Sequence, residues 1–333
     1  MRRNALRLLR PTRAGARKKT APPTLWFHVD SENQLQMTDH HTLPRSLLFL
    51  LAALTLAWGF NWPMMKLAVA ELPVWSFRTL CIAAGSAGLF AIARTQGSRV
   101  RVPDGQWPRL IFSSLFNVTG WNLLIGYGVL MLPSGRSAIL AYTMPLWTVM
   151  LSALFLHEAF TIRKTAGVVL GMGAVALLLA AEFAHMRAAP YGALLIIGAA
   201  LSWATGTVIM KRFPTDLPTT SFVAWQLTLG GLPVIAGALL FEWRTWQPIS
   251  HAAAAGLFYN MLVASLFCHW AWFKIATNAP ASIAALSTMM IPVVGVFSGM
   301  LVLGEQPQWQ EYAALILVTM ALATVLIPVR NRA

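Results

Sequence analysis

Apolar residues fall in long blocks along this chain, with polar residues in short clusters between them. Ten apolar segments run over roughly 46–66, 72–93, 108–131, 134–156, 163–181, 190–211, 218–241, 250–275, 280–303 and 309–328. Each is near the ~20 residues that a helix needs to cross a bilayer. Stretches such as Leu47 to Pro63 and Gly167 to Ala181 carry no charge at all. The links between segments are short: Leu132 and Pro133 separate the third from the fourth, and Asn278 and Ala279 the eighth from the ninth. Short links force antiparallel neighbours. The pattern predicts an all-α integral membrane protein with ten transmembrane helices in one compact bundle.

A second regularity is an internal repeat. Shifted by 145, Leu56, Trp58 and Lys66 fall on Leu201, Trp203 and Lys211, and Glu71-Leu72-Pro73 falls on Asp216-Leu217-Pro218. Shifted by 147, Pro133, Ala138, Pro145 and Glu158 fall on Pro280, Ala285, Pro292 and Glu305. The expected units are 46–182 and 190–328, with five spans each. An odd number of spans makes the units enter the membrane from opposite sides, so the expected plan is two inverted five-helix repeats around a central cavity. A duplicated scaffold without transport activity is the rival reading.

Composition and charge sharpen this. Of 333 residues, 57% are apolar and 11% are charged, where a soluble domain carries about a quarter charged residues. The net charge of +14 does not form a nucleic-acid groove. Eight Lys/Arg lie between Arg2 and Lys19, and most others flank apolar runs. With the N-terminus inside, Arg94, Arg99, Arg101, Arg109, Arg163, Lys164, Lys211, Arg212, Lys274, Arg330 and Arg332 are cytoplasmic. Only Lys66, Arg136, Arg187 and Arg244 are then outside. This asymmetry places both termini in the cytoplasm of a cell (inner or plasma) membrane protein. Residues 1–45 read as a disordered basic tail, a transit peptide, or a mis-annotated start with translation beginning at Met37. Asp30 and Glu32 weigh against the transit peptide. Cys81 and Cys268 are isolated within apolar runs and read as small core residues.

On these residues the chain resembles the EamA-like branch of the drug/metabolite transporter (DMT) superfamily. The first unit carries Ala57-Trp58-Gly59-Phe60-Asn61, Leu72-Pro73 with Arg78, Ala138 to Pro145-Leu146-Trp147, Leu156-His157-Glu158 and Gly167. The second carries Trp203, Ile291-Pro292 and Leu303-Gly304-Glu305. The resemblance covers about 46–328. It implies ten spans in two units, a central cavity, and transport, often export, of small metabolites such as amino acids. One departure stands out: the second unit has Val223 where the first has Arg78.

The candidate working residues lie inside the spans. Pro145 and Pro292 sit midway along the fourth and ninth. A mid-helix proline removes a backbone hydrogen bond, which lipid tolerates only where protein or a cavity satisfies the freed group. Both are candidate hinges, with a passive kink as the alternative. Asn61, Trp62, Trp121, Asn122, Tyr142, Trp203, Thr207, Asn260, His269 and Trp270 are the substrate-binding candidates, with Asn117 one turn before Trp121. Polar groups in hydrocarbon face the bundle interior. A cavity of indoles, a phenol and a few amides suits an amphipathic organic solute better than an inorganic ion. Interhelical hydrogen bonding is the bland account of each one. His269 titrates near neutral pH or serves as a neutral packing residue. Arg78 and Arg136 are anion-binding candidates, because guanidinium pairs bidentately with planar anions; snorkelling to the interface competes with that role.

Absences matter too. Asp104, Glu158, Glu182, Asp216, Glu242, Glu305 and Glu311 all lie at or beyond span ends, so no mid-membrane proton relay is visible. Glu158 and Glu305 fall at symmetric ends on opposite faces, as gates or helix-end ion pairs. Gly171-Met172-Gly173-Ala174-Val175-Ala176 imitates a dinucleotide motif without its preceding strand and reads as helix packing, with Gly167. Gly295 with Gly299 reads the same way. The sequon Asn117-Val118-Thr119 lies inside a span. No catalytic triad, metal cluster or nucleotide motif appears, so no cofactor and no enzymatic role are expected. The expected partners are a small-molecule substrate and the lipid bilayer, not nucleic acid. A monomer holds both units, and a homodimer stays open. The reading is a secondary transporter, an exporter working by alternating access; a polytopic scaffold or intramembrane enzyme is the alternative.

Overall fold

The computed structural model describes residues 45–157, 161–184, 191–278 and 281–326. Among them all regular structure is helical. The rods in chain order are α1 Arg45–Val69, α2 Val74–Thr95, α3 Trp107–Met131, α4 Ser134–Leu156, α5 Ile162–Ala184, α6 Tyr191–Arg212, α7 Thr219–Glu242, α8 251–278, α9 Ala281–Leu303 and α10 Trp309–Leu326. Their ends fall within three residues of the apolar segments read from the sequence. Among the described residues, eight helices, on α1 to α8, are long and apolar enough to cross a membrane, and Met290–Leu303 in α9 is a shorter apolar helix. The basic tail, Glu158 and Arg187 lie outside the described residues.

Leu-Pro pairs set three of the turns. A residue before proline is driven out of the helical region, and proline itself supplies the φ of a first turn. Leu132 accordingly ends α3 in extended conformation, at φ −116° and ψ 158°. Pro73, Pro133 and Pro218 then start α2, α4 and α7 from near-identical backbone, with φ of −57°, −54° and −55°. None of these helix starts has a capping bond from its own N-cap side chain. Their free N–H groups must find partners elsewhere.

The helices pack through small residues. A Cβ on Gly59 of α1 would collide with Val294 of α9, and one on Gly206 of α6 with Asn117 of α3. Gly295 admits Ala138 and Trp62, and Gly299 admits Ser134 and Glu305, so α9 runs closely along α1 and the start of α4. Gly171 of α5 receives Leu146 of α4. These are the close approaches expected where lipid gives no hydrophobic drive between helices. The main core gathers Trp62, Phe77, Ile125, Ile139, Leu140, Leu178, Ile196 and Val318 from both halves of the chain.

Four helices depart from regular α geometry. Residues Leu115–Gly120 of α3, Ala238–Glu242 of α7 and Tyr259–Phe267 of α8 are π-helical. α4 is interrupted at Tyr142 and Thr143, so Pro145 falls in the first turn of the segment Met144–Leu156. Pro292 by contrast lies buried within unbroken α9. The mid-span position expected of Pro145 therefore corresponds to a broken helix, where the missing N–H removes no intrahelical bond.

Candidate functional site

One end of the bundle is held by carboxylates. Glu242, closing α7, accepts hydrogen bonds from the backbone N–H groups of Trp75 (3.2 Å) and Ser76 (2.7 Å) at the start of α2. Glu305, just after α9, accepts from the N–H groups of Ser134 (2.6 Å) and Gly135 (3.1 Å) and from the Ser134 hydroxyl (3.0 Å) at the start of α4. Glu71, between α1 and α2, accepts from the Ser250 N–H (2.7 Å) and hydroxyl (2.6 Å) at the start of α8. Glu242 and Glu305 supply the acceptors that the proline-started helices lack, Glu71 adds to the cap that Ser250 itself makes with the Ala253 N–H, and the negative charge complements the positive helix end. All three carboxylates join the first half of the chain to the second. Lys66 reaches the Leu132 carbonyl and lies 4.0 Å from Glu305. The Glu71 carboxyl is held below the usual carboxylate range by its Ser250 hydroxyl and N–H donors.

The opposite end has a counterpart. Gln106, the N-cap of α3, donates to Asp216 at 2.6 Å and accepts the Asp216 N–H at 3.1 Å. Asp216 is the residue onto which Glu71 falls under the shift of 145, and Gln106 and Ser250 occupy the N-cap positions of α3 and α8.

Between these ends lie the substrate-binding candidates, in three aromatic groups. Trp62 of α1 meets Tyr142 at the α4 break, edge to face at 6.4 Å. Trp121 of α3 meets Trp203 of α6 at 5.2 Å. His269 of α8 meets Trp58 of α1 at 6.0 Å, and Trp270 lies against Phe267 with the Lys274 ammonium over its ring. Trp62, Tyr142 and Trp121 pack on the main core, whereas Trp58 and Trp270 pack on a separate cluster with Leu54, Cys268 and Ala271. The candidates thus divide between two regions.

Several polar candidates already have partners. The Asn122 and Asn260 amides donate to the carbonyls of Val118 (2.8 Å) and Gly256 (2.9 Å), four residues back beside the π-helical segments. Thr207 donates to Trp203 O at 2.9 Å, and a His269 ring nitrogen lies 3.2 Å from Ala264 O. Asn61 differs: its buried Oδ1 has no hydrogen-bond partner.

The two arginines part company. Arg136 binds the buried carboxylate of Glu311 through Nε at 2.8 Å and through its terminal nitrogen. Arg78 has no such carboxylate. It is only 6% exposed, so it does not snorkel into water. One terminal nitrogen contacts the Met65 thioether at 2.6 Å, the guanidinium carbon lies 5.1 Å from the Phe77 ring centroid, and Nε has no partner.

Sequence reasoning missed a polar knot at Gln226 of α7, which is 5% exposed and donates to Ser113 of α3 at 3.1 Å and Met210 of α6 at 3.3 Å. A glutamine inside an apolar run was its available signal. It also missed Glu71 and Glu242 as caps. Their signal was an acidic residue at a span end in a chain whose helices start on proline or serine.

A bundle of long apolar helices with its few carboxylates at the ends is a multi-pass membrane protein. The model of the EamA-like transporter family matches this chain twice, over 45–180 and 190–327, and the chain belongs to that family. It is 30% identical over 279 residues to the uncharacterized transporter YvbV of Bacillus subtilis, across 83% of this chain and 90% of that one. It is 24% identical over 290 residues to a Salmonella typhimurium protein named "Probable amino-acid metabolite efflux pump", across 81% and 91%. A solved crystal structure superposes with a TM-score of 0.58 at 21% identity, covering 84% of this chain and 97% of the other, which speaks for the fold alone. By family, the protein is a membrane transporter of the drug/metabolite superfamily.

Proposed function

We propose that the protein is a secondary transporter that exports a small organic metabolite, an amino acid or a related compound, across the cytoplasmic membrane by alternating access. The ten rods form two inverted five-helix units, and both termini are cytoplasmic. The observation that carries this reading is the pair of related contacts at opposite ends, Glu71 with Ser250 and Asp216 with Gln106. Two ends held by an acidic residue and a helix N-cap at corresponding positions are what a molecule needs if each is to open in turn.

On this orientation the end held by Glu242, Glu305 and Glu71 faces outward. The units rock about the α4 break at Pro145 and about Pro292. Substrate lies among Asn61, Trp62, Trp121, Asn122, Tyr142, Trp203 and Thr207, with Asn260 in the outer half of α8 and His269 and Trp270 in its cytoplasmic half. Arg136, neutralised by Glu311, ties α4 to α10. The name of the Salmonella relative supports amino-acid metabolites as the first substrates to try. Exchange of one substrate molecule for another needs no carboxylate in the middle of a span, in keeping with the acidic residues at the span ends.

The test is counterflow in proteoliposomes preloaded with labelled amino acids. External unlabelled substrate should accelerate release of the label. Equal uptake into empty and preloaded vesicles would remove the exchange mechanism, and no flux with any amino acid would remove the substrate class.

A further inference from the structure

Arg78 is a charge without a counter-charge. Its guanidinium lies where α1, α2 and α3 meet, with Met65 on one side, the Phe77 ring on another and the backbone of Gly126 on a third. A Cβ on Gly126 would sit 3.5 Å from its Nε and strike a Val74 methyl at 2.5 Å, so apolar groups and bare backbone, not an acceptor, line that edge of the fork. The one hydrogen bond is to a thioether, a weak acceptor. No carboxylate among the described residues pairs with it: Glu242 binds the N–H groups of Trp75 and Ser76, Glu305 those of Ser134 and Gly135, and Glu311 binds Arg136. Buried charges are ordinarily paired, because removing one from water without compensation is strongly unfavourable. A fully formed guanidinium fork with vacant donors is therefore built for an anion that arrives from outside the chain.

We propose that Arg78 is the anion anchor of the transport site and binds the carboxylate of a small organic acid. This rests on the transport reading above. The charge count selects carboxylate over phosphate. A phosphate monoester carries roughly −1.5 to −2 near neutral pH, and a second cation would be needed to neutralise it. Lys66 is held by Leu132 and Glu305, Arg136 by Glu311, and the second unit has Val223 at the equivalent position. One guanidinium matches one monoanion, bidentately. Asn61 stands one turn from Met65 on the same face of α1, and its orphaned Oδ1 accepts a donor from the rest of the ligand. Met65 covers the fork, and its chain neighbour Lys66 is latched to the link between α3 and α4 at Leu132. Release of that latch shifts the cover and exposes the site from the same end.

The experiment is thermal unfolding of the full chain in detergent at constant sodium chloride. Leucine, phenylalanine, propionate and benzoate are compared with leucinamide, phenylalaninamide, propionamide and benzamide. At least one acid should raise the melting temperature by about 2–4 °C near saturation, while its amide does not. Arg78→Met should abolish that response and raise the melting temperature of the unliganded protein, since it removes an uncompensated charge. Arg78→Lys should retain part of the response. No acid response in the wild type, equal shifts with acid and amide, or an undiminished acid response in Arg78→Met would each overturn the proposal. So would an Arg78→Met protein that is markedly less stable without ligand, which would mark Arg78 as a structural cation. Counterflow of an amide by the wild type would leave the transport reading standing while the carboxylate anchor falls; loss of counterflow for every solute would take down both.

Discussion

Glu305 accepts three hydrogen bonds from the first two residues of α4 and has Lys66 at 4.0 Å. Glu305→Gln replaces one acceptor oxygen with an NH2 group that faces N–H donors. The cost should be about 1–3 kcal/mol, read from denaturant or thermal unfolding in detergent. Lys66→Met should cost less, under about 1 kcal/mol, because its side chain is 29% exposed and the pair is long. A larger loss for Lys66→Met than for Glu305→Gln would mean that the ion pair, not the cap, holds this end. Glu71 adds a pH dependence. Its folded pKa is depressed by Ser250, so its contribution is fully present above the ordinary carboxylate pKa and is lost as pH falls through the folded value. The stability difference between wild type and Glu71→Gln should be present at neutral pH and vanish on acidification. A difference constant down to strongly acid pH would show that the carboxylate charge is not what binds Ser250.

At the level of elements, small residues set the distance between helices. Gly206 of α6 faces Asn117 in the π-helical segment of α3, and a Cβ there would lie 3.1 Å from the Asn117 backbone nitrogen after striking its amide. Backbone cannot move aside as a side-chain end can, so Gly206→Ala should destabilise by about 1–3 kcal/mol. An unchanged melting temperature would mean that α3 and α6 are less closely seated. The ten rods were legible within three residues because bilayer thickness dictates apolar length and Leu-Pro dipeptides end one helix and start the next. The π-helical segments and the α4 break were not legible in this way. Apolar periodicity over a span of 23 or 25 residues hardly changes when one turn is widened or interrupted. Pro145 pointed to α4, but whether it kinks a helix or starts a new segment depends on the neighbours that take up Tyr142 and Thr143.

For the whole molecule, the contacts at the carboxylate end make opening a concerted event. Glu242, Glu305 and Glu71 each cross from one half of the chain to the other. Joining Lys66→Cys to Glu305→Cys with a short bifunctional maleimide, in a background free of Cys81 and Cys268, should stop counterflow. Either cysteine alone, treated alike, should leave it running. Transport that persists through the cross-link would show that this end does not open in the cycle.

What the sequence determined by itself is one-dimensional: the helical class, the segment lengths, the doubled pattern and the polar residues inside spans. Those follow from local composition, since burying apolar surface in lipid acts on each segment largely alone. What only the tertiary structure decided is which polar groups meet. Glu71 finds Ser250 at a separation of 179 residues and Glu305 finds Ser134 at 171. It also separated Arg136, neutralised by Glu311, from Arg78, left with a thioether. In sequence both are anion-binding candidates, Arg78 about two turns into its span and Arg136 at the start of its own, because a charge's partner is set by which helices pack together and carries no local signal.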